Sequence, residues 1–195
     1  MAKLKTTFDP APMAQVKTVV GEPGACPPLA EILKKAEAAG FSGVQLEEKA
    51  PSDSVFVVPA GKLVGFLAWL RDDLNLGFDF LQVISASDFI DVAATEDRVE
   101  VKARVELLYV LYSFPLRSDL NIKVVLPREN AVIESVSHLF RAANWYEREC
   151  YDLLGVVFKN HPFLERVLLP EDWVGHPLKK DYVFPETYNG MKVPL

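Results

Sequence analysis

The residues best suited to chemistry crowd into one stretch. Between Trp145 and Tyr182 lie two of the three Trp, two of the three His and one of the two Cys. Arg148 and Asp152 stand at i, i+4 and Glu149 and Asp152 at i, i+3, and Arg166 follows. Crowded carboxylates raise one another's pKa and suit acid–base work. Here no nucleophile or oxyanion-hole pattern accompanies them. An ion-pair network with Arg148, Arg166 or a partner's cation is therefore the preferred reading. His161 and His176 each precede a proline, Pro162 and Pro177, with Asp172 and Asp181 nearby. A metal would need several of these to converge, and neither HExxH nor a His pair at helical spacing occurs. The imidazoles are expected instead on backbone carbonyls of the irregular segment around them. Trp145, Trp173 and Tyr182 can stack on a cofactor, but aromatics with a polar tip are also what protein interfaces recruit. GxGxxG, Walker A and GxSxG motifs are absent. Cys26 and Cys150 are far apart, without a CxxC, which argues for reduced thiols rather than a cluster or zinc site.

These groups need a helix and a tail to hold them. Asn144 is a good N-cap, and Glu147, three residues on, is placed to close a capping box. Gly155 suits the left-handed residue that ends a helix. Tyr146, Cys150, Leu153 and Leu154 then share one face. Beyond Phe158 the pattern dissolves: Pro162, Pro170, Pro177, Pro185 and Pro194 rule out a long helix. Yet Phe163, Leu164, Val167, Leu168, Leu169, Trp173, Leu178 and Tyr182 make this no solvated linker. Such an arm needs a surface to cover, on its own domain or on a partner.

Upstream, residues 1–27 read as a flexible leader. Leu29 to Ala39 has helical spacing with Leu29, Ile32, Leu33 and Ala36 on one face, and Gly40 closes it. Gly43–Glu48 and Ser54–Val58 suggest a hairpin. Lys62 to Leu74 returns to a helix with Leu63, Phe66, Leu67 and Leu70 inward. Phe78 to Ile84 reads as a strand and Ala86 to Arg98 as a polar loop. Val99 to Leu107 alternates apolar and charged residues, as in an antiparallel strand with one wet face. From Leu108 to Tyr112 both faces turn apolar and should be covered. Asn121 to Leu126 is the return strand, and Ser135 to Phe140 a helical turn. This order predicts an α+β fold: a mostly antiparallel sheet with helices packed on one face, followed by a short helix and an extended proline-rich C-terminal arm. The α+β domain is drawn at 28–130, and the signature helix with its docking arm at 131–195.

Composition narrows the function classes. The chain has 195 residues, half of them hydrophobic, and a net charge of −6. That length allows a sizeable core, and the acidic balance argues against nucleic acid as a partner. No apolar run approaches the length of a membrane span.

The spelling of the stretch is distinctive. Ala143-Asn-Trp-Tyr-Glu-Arg-Glu-Cys-Tyr-Asp-Leu-Leu-Gly155, then Phe158-x-x-His-Pro-x-Leu-x-Arg-Val-Leu168, then Asp172-Trp-x-Gly-His-Pro-Leu-Lys-Lys-Asp-Tyr182 resembles the signature of the 30-kDa-type subunit family of respiratory complex I, the NADH:quinone oxidoreductase. One position departs: Lys179 stands where the family has Arg, keeping the charge but losing the bidentate fork. The resemblance implies membership of a proton-translocating oxidoreductase without catalytic residues or cofactor of the chain's own. FMN, iron–sulfur clusters and quinone would belong to partner subunits. It implies contact with the quinone-site subunit and with neighbouring iron–sulfur subunits of the peripheral arm. The place implied is the cytoplasmic side of the cell inner membrane, peripheral to it. The signature and interface residues would be Trp145, Glu147, Arg148, Glu149, Asp152, Gly155, His161, Pro162, Arg166, Trp173, His176, Pro177, Lys180, Asp181 and Tyr182. A homologous component of a membrane-bound hydrogenase or related dehydrogenase shares this spelling. A small metal-dependent hydrolase using His161, His176 and their aspartates is the reading from a different class.

Overall fold

The computed structural model describes residues 26–47, 54–93 and 101–192. The expected leader lies almost wholly outside them. Three helices and nine strands are described: α1 (Leu29–Ala38), β1 (Gln45–Glu47), β2 (Val55–Val57), α2 (Leu63–Asp72), β3 (Phe80–Phe89), β4 (Arg104–Ser113), β5 (Ser118–Pro127), β6 (Val132–Glu134), α3 (Ala143–Leu154), β7 (Val157–Lys159), β8 (Thr187–Tyr188) and β9 (Met191–Lys192).

The main sheet runs β1-β2-β5-β4-β3. It is antiparallel except where β2 lies parallel to β5. Strand alternation builds the core face. Leu107 stands opposite Val124, Tyr109 opposite Ile122 and Leu111 opposite Leu120, all six buried. Against that face lie Ile32 and Ala36 of α1 and Leu63, Phe66, Leu67 and Leu70 of α2, as their spacing predicts. Completely burying a side chain of this size contributes about 1.5–3 kcal/mol. The apolar core does not stop at residue 130: Ile133, Val136, Phe140, Cys150, Leu154 and Phe158 are buried in the same cluster.

The structure corrects several expectations. Residues 86–89 are not polar loop but the second half of β3, which is kept in register with β4 past a bulge at Gln82. Alternation hides this half, because its inward positions are taken by Ala86 and Asp88 rather than by large apolar residues. The regular ladder of β4 starts at Arg104, with only an isolated bridge between Val101 and Val92 before it. Leu108, Val110 and Tyr112 are only half-buried on the outer face, so β4 is covered fully on one side. The parallel pair β6–β7 has no counterpart in the sequence pattern, since three-residue strands are too short to show one. Among the described residues no helix is long and apolar enough to cross a membrane.

β3 is an edge strand, and α3 closes that edge. The Tyr146 hydroxyl donates to the Gln82 carbonyl at 2.7 Å and the Cys150 thiol faces the Ile84 carbonyl at 3.9 Å. Side chains of α3 thus reach backbone acceptors that β4 leaves free, which protects the edge from pairing with another chain.

Candidate functional site: the signature helix and its strap

α3 begins differently from the sequence expectation. The chain enters it through a turn that is already helical, with Ala143 N–H on Phe140 O and Asn144 N–H on Arg141 O. Ala142 precedes the helix, and no side chain caps it. The capping box is therefore not formed. Glu147 instead turns inward, is fully buried, and accepts from Ser135 Oγ at 2.6 Å and Val136 N–H at 2.7 Å. Burial pushes its carboxyl up to about 7 against these two donors. Tyr109 has its hydroxyl buried and unpaired. Burial, then the nearby Glu147 and Cys150, hold that phenol well above its ordinary pKa.

His161 packs over the start of the helix. Its Nδ1 accepts from Phe163 N–H at 3.0 Å, so Nε2 carries the proton and donates to Asn144 O at 3.2 Å. Burial lowers its pKa, which keeps the ring neutral. Its 3.8 Å approach to Glu147 is consequently no ion pair.

The far end of α3 is organised by Asp152. Its carboxylate is shielded from solvent and accepts from Arg166 Nη1 at 2.6 Å and from three consecutive backbone amides, Val167, Leu168 and Leu169, at 3.1, 2.8 and 2.9 Å. Burial opposes ionisation, but the amides and Arg166 outweigh it and hold the carboxyl below its usual range. The backbone carbonyl of Asp152 accepts from His176 Nδ1 at 2.9 Å. Both histidines thus do bond backbone carbonyls, but those of α3 rather than of the tail. Gly155, left-handed at φ 74°, ends the helix as its sequence position predicts. A Cβ there would lie 2.7 Å from the His176 ring, so glycine is required twice over.

Arg148 does not pair with Glu149 or Asp152. Its guanidinium lies 5.0 Å from the Trp145 ring and 5.2 Å from the Phe163 ring and donates to the carbonyls of Glu165 and Arg166. Arg166 takes the carboxylate and also donates to Gly175 O at 3.0 Å. The irregular segment is strapped to α3 by side chains standing in for a missing ladder.

A second clamp holds the strap to the sheet. Arg128, just after β5, grips buried Asp88 of β3 through Nε and Nη2 at 2.7 and 2.8 Å, and Asp181 through Nη1 and Nη2. Lys180 N–H also donates to Asp88, at 2.8 Å. The guanidinium, then burial in opposition and the Lys180 amide, hold the Asp88 carboxyl below its ordinary range. The Tyr182 hydroxyl donates to Val174 O, its ring packed where a Cβ on Gly175 would sit. The Trp173 ring packs against that of Tyr188, centroids 5.0 Å apart and planes tilted by 53°.

The geometry sorts the signature. Glu147, Arg148, Asp152, His161, Arg166, His176, Asp181 and Tyr182 spend their side-chain polar atoms on the chain itself. Trp145, Phe163, Leu168, Val174, Leu178 and Val183 present apolar surface outward, Val174 and Val183 at 84% exposure. Glu149 and Pro162 are exposed, and Pro177 is half-buried. Among the described residues no three His, Cys, Asp or Glu side chains converge as metal ligands. Sequence reasoning missed Asp88, Arg128 and Ser135. Only Asp88 left a trace: a carboxylate at a core-face strand position demands a buried cation.

An α+β domain whose last helix is strapped down by buried carboxylates is the class that fold and site define. The sequence profile described as respiratory-chain NADH dehydrogenase, 30 Kd subunit, matches residues 56–188, and the chain belongs to that family. The NADH-quinone oxidoreductase subunit of this type from Geobacter metallireducens is 49% identical over 113 residues, 57% of this chain and 70% of that one. Its namesake in Herpetosiphon aurantiacus is 33% identical over 150 residues, 77% and 82% of the two chains. Among solved structures, Nqo5 of a trypsin-resistant fragment superposes with a TM-score of 0.56 at 28% identity, covering 70% of this chain and 98% of that one. A chain of a membrane-bound sulfane sulfur reductase, an archaeal respiratory membrane complex, superposes with a TM-score of 0.50 at 23% identity over 73% and 77% of the two chains. That likeness is one of fold alone.

Proposed function

We propose that the chain is a non-redox component of a proton-translocating NADH:quinone oxidoreductase. It packs against the quinone-site subunit and neighbouring iron–sulfur subunits, peripheral to the membrane on its cytoplasmic side. FMN, clusters and quinone are carried by those partners. In this reading the chain holds its neighbours in register, so that electron carriers in them keep their spacing. The observation that carries it is the family match over residues 56–188, which spans the whole strapped signature. The surface supports it: inward polar groups make the strap self-sufficient, while its outward apolar side chains suit the core of a protein interface.

The test is purification of the tagged chain from its native host. NADH:quinone oxidoreductase activity should co-elute with it, and deletion of the gene should abolish NADH-dependent quinone reduction in membranes. A chain that elutes alone, or membranes whose activity survives the deletion, would overturn the proposal. Visible absorption or one tightly held metal per purified chain would overturn its non-redox part.

A further inference from the structure

One trough on the signature face differs from the strap beside it. It has a volume of about 460 Å³ and is bounded by His138, Arg141, Asn144, Trp145, Asn160 and Pro162. Trp145, 62% exposed, forms one wall. The Arg148 guanidinium stacked on the Trp145 ring braces that wall. The side chains of His138, Arg141 and Asn144 make no hydrogen bond or ion pair within the described residues. Three donors thus border one trough without a partner among the described residues, whereas Arg148, Asp152, Arg166, His176 and Asp181 of the neighbouring strap are engaged. The first turn of α3 also borders it, without a side-chain cap, and the start of a helix favours negative charge. The acid beside it, Glu134, is already held by the Asn160 amide at 2.7 Å.

We propose that this trough receives an acidic segment of a partner polypeptide, with an Asp or Glu carboxylate on Arg141 and His138 and its flanking residues on Trp145 and Pro162. Charge complementarity selects the occupant: Arg141 is a lining cation, no Asp or Glu is among the lining residues, and the chain as a whole carries −6. Apolar walls and a free amide suit an extended peptide better than a bare anion. Asn144 can then bond the backbone of that segment. This inference rests on the proposed role in a larger assembly and names the chemistry of one contact in it.

The experiment uses the full chain in its native host, with a photocrosslinking amino acid at Asn144 and, separately, the variants Arg141→Glu and Trp145→Ala. The Arg141 side chain has no bond among the described residues, so Arg141→Glu should keep the wild-type melting temperature. Crosslinked peptides identified by mass spectrometry should come from a partner polypeptide and contain Asp or Glu. Arg141→Glu should lower retention of that partner at moderate salt by about tenfold or more, as reversal of an interfacial charge does. Trp145→Ala should weaken retention as well, through loss of the apolar wall. Reversing the crosslinked acid to Lys should restore retention in Arg141→Glu. A crosslink to a second copy of this chain, to a segment without acids, or to nothing while the wild type still co-purifies would overturn the inference alone. Unchanged retention in Arg141→Glu would do the same. A wild-type chain that co-purifies with no partner would bring down the proposed function as well.

Discussion

Glu147 and Asp152 lie five residues apart on one helix, both shut away from solvent, and they behave oppositely. Asp152 gathers one guanidinium and three backbone amides; Glu147 has one hydroxyl and one amide. Burial penalises both carboxylates, Glu147 the more deeply enclosed, and Glu147's two neutral donors do not offset that cost as the guanidinium and three amides of Asp152 do. Asp152 is held ionised and pins the strap, whereas Glu147 is driven toward its protonated form. The site thus holds a settled charge where it meets the strap, and a carboxyl close to its titration point where it meets the core. Closure to solvent alone does not set the charge of a carboxyl.

Asp152→Asn is expected to have the largest effect. The amide nitrogen cannot accept, so backbone amides and Arg166 lose their anion together. Breaking a buried pair on one side costs about 3–5 kcal/mol. The loss should divide between the strap and the global fold, because the apolar core from Ile32 to Phe158 does not depend on residues 165–182. Chemical denaturation should report a lower midpoint. Trypsin should cut after Arg166 and Lys179 much faster than in the wild type. Low pH should imitate the mutation: the native carboxyl lies below its ordinary value, so its contribution is complete above about pH 4 and disappears as pH falls through the native pKa. If protease resistance of the strap is unaltered in Asp152→Asn, the carboxylate is not the pin.

Glu147→Gln should act more weakly and in the reverse sense with pH. The native carboxyl titrates near 7 against an ordinary value of 4.5. Between those values the unfolded chain has released this proton and the native chain has not, so stability falls as pH rises through the window and levels off above it. The total is on the order of 3 kcal/mol. Gln can accept from Val136 N–H and donate to Ser135 Oγ, so the local bonds survive. The variant should flatten the stability profile between pH 4.5 and 7 and be more stable than the wild type at higher pH. A slope equal to that of the wild type would show that Glu147 is ionised throughout.

How much of this contrast is legible in sequence depends on period. Ile32, Ala36, Leu63, Phe66, Leu67 and Leu70 announce themselves by helical spacing, and Val105 and Leu107 by alternation. The left-handed end at Gly155 follows from residue type alone. The roles of Glu147, Arg148 and Asp152 cannot be read that way. Their partners are Ser135, the amide of Val136, the carbonyls of Glu165 and Arg166, and the amides of Val167 to Leu169. These lie 11 to 18 residues away and are mostly backbone. Backbone partners leave no mark on a side-chain pattern. Local rules therefore assign Glu147 to a cap that the entering turn has already made unnecessary. They assign Arg148 to nearby acids, although Arg166 has taken Asp152.

The smallest expected effect separates charge from shape at Arg148, between the two carboxylates. Lys at this position keeps the positive charge but cannot send two parallel donors to Glu165 and Arg166, nor lie flat between Trp145 and Phe163. If Arg148 served as a counter-ion to Glu149 or Asp152, Arg148→Lys would be nearly silent. If it is a stitch between helix and strap, the change should cost about 1–2 kcal/mol, from two carbonyl hydrogen bonds and a half-exposed cation–π stack. The loss should be local. Trp145 emission should shift as its ring loses the guanidinium, and amide exchange should quicken in residues 163–167 while amides on β4 and β5 keep their protection. Arg148→Met, which removes the charge and keeps a flexible stem, should resemble Arg148→Lys in all three measurements. A large difference between Lys and Met would return the weight to charge and undo the assignment of Arg148 as a stitch.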